Sequence, residues 1–493
     1  MTTPTTPAPA SRTDAPLHRE TRPVPAELVL GVATAAFQIE GATHEDGRTD
    51  SIWDTFCRVP GAVVGGDTGD VACDHYHRYR EDVALMASLG IQTYRFSTSW
   101  ARVCPDGGPV NEAGLDFYER LVDELLAAGI TPWLTLYHWD LPAALQEDGG
   151  WTNRAVVDRF VDYALAVHDR LGGKIRTWTT LNEPWCSAFL GYTGGEHAPG
   201  GGSPADGVVA AHHLLLAHGR VIAALRERDP SLRLGLTLNH TVPDPVDPDD
   251  PRDVEAARRI DAQMNRVFLD PIFRGAYPTD YLEDVAGLGL ESAVRPGDLD
   301  IIATPIDVLG VNYYQGEAVS HRPPTESVAA VPATTRPTRS PMPAAPDSHR
   351  HPRELATTAM GWEIQPEGLT RLLQRLHEEY SGPAGVDLYV TENGAAFDDA
   401  PDADGAVDDT GRRDFLRAHL AAVLDAIDAG VPVHGYFYWS LMDNFEWAWG
   451  YAKRFGIVRV DYATQVRTPK ASALDYARTI RDRRLPLGGD LTP

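Results

Sequence analysis

Glu183 and Glu392 each stand at the end of a short β-favouring run that turn-forming residues cut off. Leu388-Tyr389-Val390 is an apolar run, and Thr391-Glu392-Asn393-Gly394 stops it, because Asn-Gly after a strand marks an abrupt turn. The run Ile175 to Leu181 leads in the same way into Asn182-Glu183-Pro184, and Pro184 has no amide hydrogen with which to continue a ladder. Taken singly, a glutamate just past a strand is more often a solvated loop residue. Two in matching positions above one sheet are a different matter. One carboxyl can act as acid and base and the other as nucleophile, which is what cleavage of a glycosidic bond requires.

The elements that must position this pair alternate along the chain. Short β-like runs lie at 29–37, 91–97, 131–138, 175–182, 232–239, 306–313, 386–391 and 433–440. Longer helical patterns separate them. The clearest covers 112–129, where Leu115, Tyr118, Leu121, Val122 and Leu125 recur at helical spacing and Gly129 supplies the stop. Others run from Asn153 to Gly172 and over 409–430. This alternation fits a single (β/α)8 barrel with extended βα-loops, an α/β fold. Open doubly wound sheets alternate too, but no GxGxxG follows the first run.

In such a barrel the strand ends build the site. The first run ends in Ala36-Phe37-Gln38-Ile39-Glu40-Gly41, the second in Tyr94-Arg95-Phe96-Ser97, and the third in Tyr137-His138-Trp139-Asp140. The sixth gives Asn312-Tyr313-Tyr314, and the eighth gives Trp439 followed by Asn444-Phe445-Glu446-Trp447. Amide, imidazole, carboxylate and indole groups converging on one pocket suit a polyhydroxylated ring. Each has a plain structural reading alone: His138 and the tryptophans as core, Arg95 as a buried ion-pair partner. The set carries the argument because all of it falls at strand ends.

Composition narrows the classes. The formal charge is 44 minus 70, or −26, which repels phosphate backbones and disfavours nucleic acid as a partner. Cys57, Cys73, Cys104 and Cys186 form no CxxC pair and no disulfide framework, so they read as reduced thiols in a cytoplasmic protein. No apolar run reads as long enough to span a membrane. No metal-ligand spacing, phosphate loop or GxSxG elbow is present, so neither metal nor cofactor is expected. Residues 1–25, rich in Thr, Pro and Ala, read as a disordered tail, 26–484 as the barrel and 485–493 as a C-terminal tail. Residues 321–353, dense in Pro, Thr, Ser and Arg, read as a long, partly mobile rim loop after the sixth strand, and the Asp-rich 398–409 as a solvated turn.

Four motifs carry a family resemblance: Phe37-Gln38-Ile39-Glu40-Gly41-Ala42, Thr180-Leu181-Asn182-Glu183-Pro184, Thr391-Glu392-Asn393-Gly394 and Tyr438-Trp439-Ser440-Leu441-Met442-Asp443-Asn444-Phe445-Glu446-Trp447. In order and spacing they resemble glycoside hydrolase family 1, the β-glucosidases, from about residue 26 to 484. The segment from Asp74 to Met86 and Gly361-Trp362-Glu363-Ile364 look like its bacterial members. The resemblance implies a retaining mechanism on a β-glucoside or short oligosaccharide, with Glu392 as nucleophile and Glu183 as acid/base. It implies that Arg95 and Tyr314 hold Glu392, that Asn182 meets the sugar 2-hydroxyl, and that Gln38, His138, Trp139, Trp439, Glu446 and Trp447 bind the nonreducing sugar, with weaker roles for Asn312 and Phe455. Glu446 is expected to repel a 6-phosphosugar as an anion. Other glycones such as galactose or fucose, and a catalytically silent sugar-binding barrel, stay as alternatives.

Overall fold

The computed structural model describes residues 21–325 and 334–487. Eight strands close into a parallel barrel: β1 (Val29–Ala33), β2 (Thr93–Ser97), β3 (Thr131–Tyr137), β4 (Thr177–Asn182), β5 (Arg233–His240), β6 (Val308–Tyr313), β7 (Asp387–Asn393) and β8 (Val433–Trp439). They pair in chain order and β8 pairs with β1, so no edge is left open. Helices form the outer ring, among them α1 (His75–Ser88), α2 (Glu112–Ala127), α3 (Ala155–Leu171), α4 (Pro204–Arg228), α5 (Pro251–Asp261), α6 (Pro366–Leu376), α7 (Thr410–Asp428) and α8 (Ala471–Asp482). Helix α2 buries Leu115, Tyr118, Leu121, Val122 and Leu125, the stripe read from its spacing.

Inside the barrel an aromatic floor lies beneath a polar layer. Trp133, Val308, Tyr389 and Phe437 form one buried cluster. Trp133 packs edge-on against Tyr389 and Phe437, and its indole N–H donates to Thr179 Oγ1 at 2.8 Å. Such a floor fills the barrel interior and blocks it as a pore. The polar residues toward the strand ends therefore open to one face alone.

Two irregularities aim the glutamates. The β4–β5 register shifts between Thr179 and Asn182, and the β7–β6 register shifts between Val390 and Glu392. A bulge at a barrel rim re-aims the side chains that follow it. Gly310 in β6 permits a third adjustment: a Cβ there would stand 2.3 Å from Thr237 Oγ1 and 2.7 Å from Thr391 Oγ1. Its absence lets Thr391 reach Asn312.

Several expectations need correction. The first strand ends at Ala33 and not at 37, because Ala36–Ile39 turns into a single helical turn, with Ala36 N donating to Ser97 Oγ at 2.7 Å. That turn carries Gln38 over the barrel mouth. The tail read as 1–25 is ordered at its inner end: Thr21–Pro23 pairs antiparallel with Arg484–Pro486, which the sequence reading divided between barrel and tail. Residues 1–20 and 488–493 lie outside the described residues. The rim segment contains a strand, His349–His351, paired with Glu317–Ser320, which also pairs with Pro243–Pro245. Thr334 and Arg339 then tie it to Gly61 O and Gly194 O. Residues 326–333 of that segment lie outside the described residues.

The Asp-rich stretch is only partly a solvated turn. Asp402 caps the amides of Asp404 and Ala406, but Asp399 and Asp409 are buried ion-pair partners. Arg412 bonds both, and Lys470 bridges Asp399 at 2.5 Å and Asp443 at 2.8 Å. Helix α4 is likewise long and apolar enough by composition to cross a membrane, contrary to the sequence reading. Its most apolar window is 78% buried, and it packs against α3 and the Cys186–Gly194 turn, so burial in the protein accounts for its character. Asp250, Asp253 and His321 come together near the start of α5, and Asp253 Oδ1 there accepts from Ser320 Oγ, His321 N and the His321 ring. Asp253 is thereby satisfied by protein donors.

Candidate active site

The two glutamates lie in one buried polar cluster, and different partners hold them. Arg95 Nη1 donates to Glu392 Oε1 at 2.6 Å, and the Tyr314 hydroxyl donates to Glu392 Oε2 at 2.7 Å. Both carboxylate oxygens of Glu392 are thus taken by donors, one of them cationic. Glu183 has no cation on either oxygen. Asn312 Nδ2 donates to Oε1 at 2.7 Å, and the Cys186 thiol donates to Oε2 at 3.1 Å.

The amides between them are oriented by a chain of bonds. Thr391 Oγ1 donates to Asn312 Oδ1 at 2.8 Å, so the Asn312 NH2 group is the end that faces Glu183 and Asn182. Asn182 Oδ1 accepts from Arg95 Nη2 at 2.6 Å, which turns its own NH2 toward His138 Nε2 at 3.1 Å. His138 Nε2 must then be the acceptor nitrogen, so the proton of the neutral ring sits on Nδ1. Burial and the Arg95 charge hold His138 well below the usual imidazole range, which keeps it neutral.

The carboxyls respond to the same surroundings. Burial, then the negative charge of Glu392, pushes Glu183 up to about 8. Burial raises Glu392 as well, but Arg95 and the Tyr314 bond oppose it. When two close carboxyls share a site, the one with the cation ionises first. The cluster therefore holds one carboxylate and one carboxylic acid near neutral pH.

Beyond the pair lies a pocket with polar atoms turned inward. Gln38 spends its amide N–H groups on Asn444 Oδ1 and Phe445 O, leaving its Oε1 without a protein partner. His138 Nδ1 and Glu446 Oε2 are also buried and unpartnered in the protein. Burial, with the charges of Glu392 and Glu183, pushes Glu446 up to about 8. Against the plain anion expected at Glu446, its surroundings thus favour the protonated form of the carboxyl in the free pocket. The aromatic wall comes from Trp439 and Trp447, which lie nearly parallel to the His138 ring at 5.6 and 5.9 Å. Trp139 packs against Trp447 at 4.4 Å with its ring tilted by 36°, and spends its indole N–H on Asn182 O. It offers the pocket a ring face and no donor. Phe455 is buried and backs Tyr314 and Trp362 at 6.3 and 6.0 Å.

All thirteen residues singled out from the sequence fall within this cluster or its walls. Cys186, Thr391 and the inward-packed Trp362 were not singled out as functional. Cys186 was findable, since it follows Glu183 by three positions, one turn further along the chain. Thr391 had no sequence signal beyond its adjacency to Glu392.

Residues 20–484 match the sequence profile of glycosyl hydrolase family 1. Among curated proteins, the chain is 49% identical to thermostable beta-glucosidase B of Thermobispora bispora, over 94% of this chain and 92% of that protein. It is 47% identical to a bifunctional beta-D-glucosidase/beta-D-fucosidase of Bifidobacterium breve, over 93% of this chain and 98% of that one. Among solved structures, the psychrophilic beta-glucosidase of Micrococcus antarcticus superposes with a TM-score of 0.91 at 55% identity, covering 93% of this chain and 97% of that one. The Thermotoga maritima beta-glucosidase solved with deoxynojirimycin gives 0.84 at 43%, covering 94% and 99%. A barrel whose rim brings together a cation-held and a cation-free carboxyl, matched over nearly its whole length at these identities, belongs to glycosyl hydrolase family 1 and is a glycoside-cleaving enzyme.

Proposed function

We propose that this β-glucosidase removes terminal nonreducing β-D-glucosyl residues by a two-step, retaining displacement, with Glu392 as nucleophile and Glu183 as acid/base. The observation that carries the assignment is the asymmetry of the two carboxyls. Arg95 and Tyr314 keep Glu392 ionised, whereas Glu183 has only Asn312 and Cys186 as partners and holds its proton.

In the first step Glu392 attacks C1 from the α face while Glu183 gives its proton to the departing glycosidic oxygen. A covalent α-glycosyl ester forms and the aglycone leaves as an alcohol. The charge on Glu392 is gone at that point, and with it the main charge that raises Glu183. Glu183, now a carboxylate, takes a proton from water, whose oxygen attacks C1 from the β face. β-Glucose departs, Glu392 is a carboxylate again and Glu183 is again protonated.

Gln38 Oε1, His138 Nδ1–H and Glu446 Oε2 supply an acceptor, a donor and a carboxyl for sugar hydroxyls, and the aromatic wall supplies a face for the ring. Side chains perform both proton transfer and attack, so EDTA should leave the rate unchanged. Four buried free cysteines support a cytoplasmic setting. β-Fucosides are a second substrate class to test, since one relative is named for both activities. Proton NMR of the first sugar released from an aryl β-glucoside tests the mechanism: the β-anomer should precede the α-anomer, and α-glucose first would overturn it.

A further inference from the structure

Cys186 stands against Glu183 in a way the mechanism above does not use. Its backbone N–H donates to Glu183 O at 2.9 Å, and its thiol donates to Glu183 Oε2 at 3.1 Å. Glu183 takes a left-handed backbone conformation, φ 45°, with its own N–H held by Thr237 O at 2.9 Å. The chain then turns at Pro184 into the wide helical turn Cys186–Gly194, which brings the thiol back over the carboxyl. Both residues are buried, Cys186 at 6% and Glu183 at 5% exposure, so little water can substitute for the thiol.

The two oxygens of Glu183 are therefore not equivalent. Asn312 Nδ2 can only donate, so Oε1 is an acceptor in every protonation state. A proton on Oε1 would weaken that oxygen as an acceptor for Asn312, which favours the catalytic proton on Oε2, where the partner is sulfur. A thiol is a weak donor and a weak acceptor, so it tolerates Oε2 both with and without a proton.

We propose that Cys186 is a positioning residue that serves both states of the acid/base: its S–H supports the Glu183 carboxylate that deglycosylation needs, and its sulfur leaves the proton on Oε2 free to move for glycosylation. This inference rests on the reading of Glu183 as the acid/base. Other groups set the same balance. Glu392 and Glu446 oppose ionisation of Glu183, Arg95 favours it, and Tyr314 and Glu196 lie within electrostatic reach of Glu183 or of the thiol. Burial and the Glu183 charge hold the thiol well above its ordinary range, so it stays an S–H donor. Among these groups Cys186 alone changes no formal charge when replaced and touches Oε2 directly.

The test compares wild type, Cys186→Ala and Cys186→Ser. Loss of a donor worth ~0.5–1.5 kcal/mol favours the protonated acid, so the basic limb of kcat/KM in the Ala variant should move up by about half to one pH unit. With an activated aryl glucoside, whose slow step is deglycosylation, kcat should fall by roughly threefold to tenfold on the same grounds. Serine retains a donor and should return the limb to the wild-type position or below it. Thermal midpoints recorded alongside separate packing from tuning, because a purely structural role lowers activity evenly without moving the limb. Coincident limbs in all three proteins, or a serine variant that behaves as alanine does, would overturn the proposal. Should the Ala variant fail to fold, Cys186→Val, which also lacks a donor, takes its place and must show the same upward shift of the limb. Failure of the underlying reading is distinct, for then the basic limb also survives in Glu183→Gln.

Discussion

Arg95 and Glu392 are joined by a 2.6 Å bond, and the other amino group of the same guanidinium holds Asn182 Oδ1 at 2.6 Å. One rigid fork from β2 thus fixes an oxygen of the nucleophile on β7 and the amide next to the acid/base on β4. A lysine could not do this, since it is a point charge on a flexible stem. Arg95 is 1% exposed, so the pair is fully desolvated.

Replacing Arg95 with Met should therefore act on Glu392 first. Arg95 lowers the Glu392 pKa, so its loss raises it, and the acid limb of kcat/KM should move to higher pH. Breaking a buried pair by removing one partner costs roughly 3–5 kcal/mol, so the thermal midpoint should drop as well. Arg95→Lys should recover stability in part and rate much less. A pH–rate profile and a melting curve on each variant check this; an unmoved acid limb would refute the pairing as the source of ionisation.

The roles of the two glutamates can be separated by where azide enters. Glu392→Gly opens the α face, so added azide should yield an α-glycosyl azide from an activated β-glucosyl donor. Glu183→Ala still forms the ester on Glu392, and azide arriving from the other face should give the β-azide. Product configuration by NMR is the readout, and the same anomer from both variants contradicts the assignment.

Stability should fall with rising pH because of Glu183. Its folded pKa, about 8, lies above the ordinary carboxyl value of 4.5. Between these values the folded state binds more protons than the unfolded one, so stability falls as pH rises across that window. Glu183→Gln removes the titration. Its melting temperature relative to wild type should climb from pH 5 to pH 8 and level off above, as seen by calorimetry. A difference that is flat with pH would show that Glu183 titrates normally.

Phosphorylated sugars should be poor substrates, although not for the simple reason of a fixed anion at Glu446. Burial raises the Glu446 carboxyl, and the charges that Glu392 and Glu183 carry when ionised raise it further. A 6-phosphate would be repelled by Glu392, the carboxylate of the pair, and by Glu446 whenever it ionises, at ~4 kcal/mol per close anion pair for an intermediate dielectric. We expect kcat/KM on a 6-phospho aryl glucoside at least about a hundredfold below that on the plain one. Glu446→Ser should narrow the gap while lowering the rate on the plain glucoside. Equal use of both substrates by the wild type would exclude the stated glycone.

The barrel was legible because parallel strands buried on both faces must be short apolar runs, and turn residues such as Asn393-Gly394 mark where they stop. Glu183, Glu392 and the sugar-facing residues were legible for the same reason, since strand ends converge on one rim. What was not legible depends on partners far apart in the chain. Asp399 and Asp409 look like solvated turn residues until Arg412 and Lys470 are folded against them. Thr21–Pro23 carries no strand signal alone and is a strand only because Arg484–Pro486 lies beside it. The first run reads as a strand as far as residue 37 because Ala36-Phe37 suits either conformation, and the Ser97 hydroxyl at Ala36 N decides for the helical turn.

That pairing of Thr21–Pro23 with Arg484–Pro486 has a practical corollary. Arg483 adds bonds to Pro25 O and Leu28 O, just before β1 begins, so the two ends of the described chain are fastened together at the base of the barrel. The carboxyls open at the opposite face. Immobilising the enzyme on a resin through residue 21 or 487 should therefore leave the sugar entrance unobstructed. The same closure makes the ring recuttable: a short linker from 487 to 21, with new ends placed in the exposed turn around 402–405, should give a circular permutant with an intact rim.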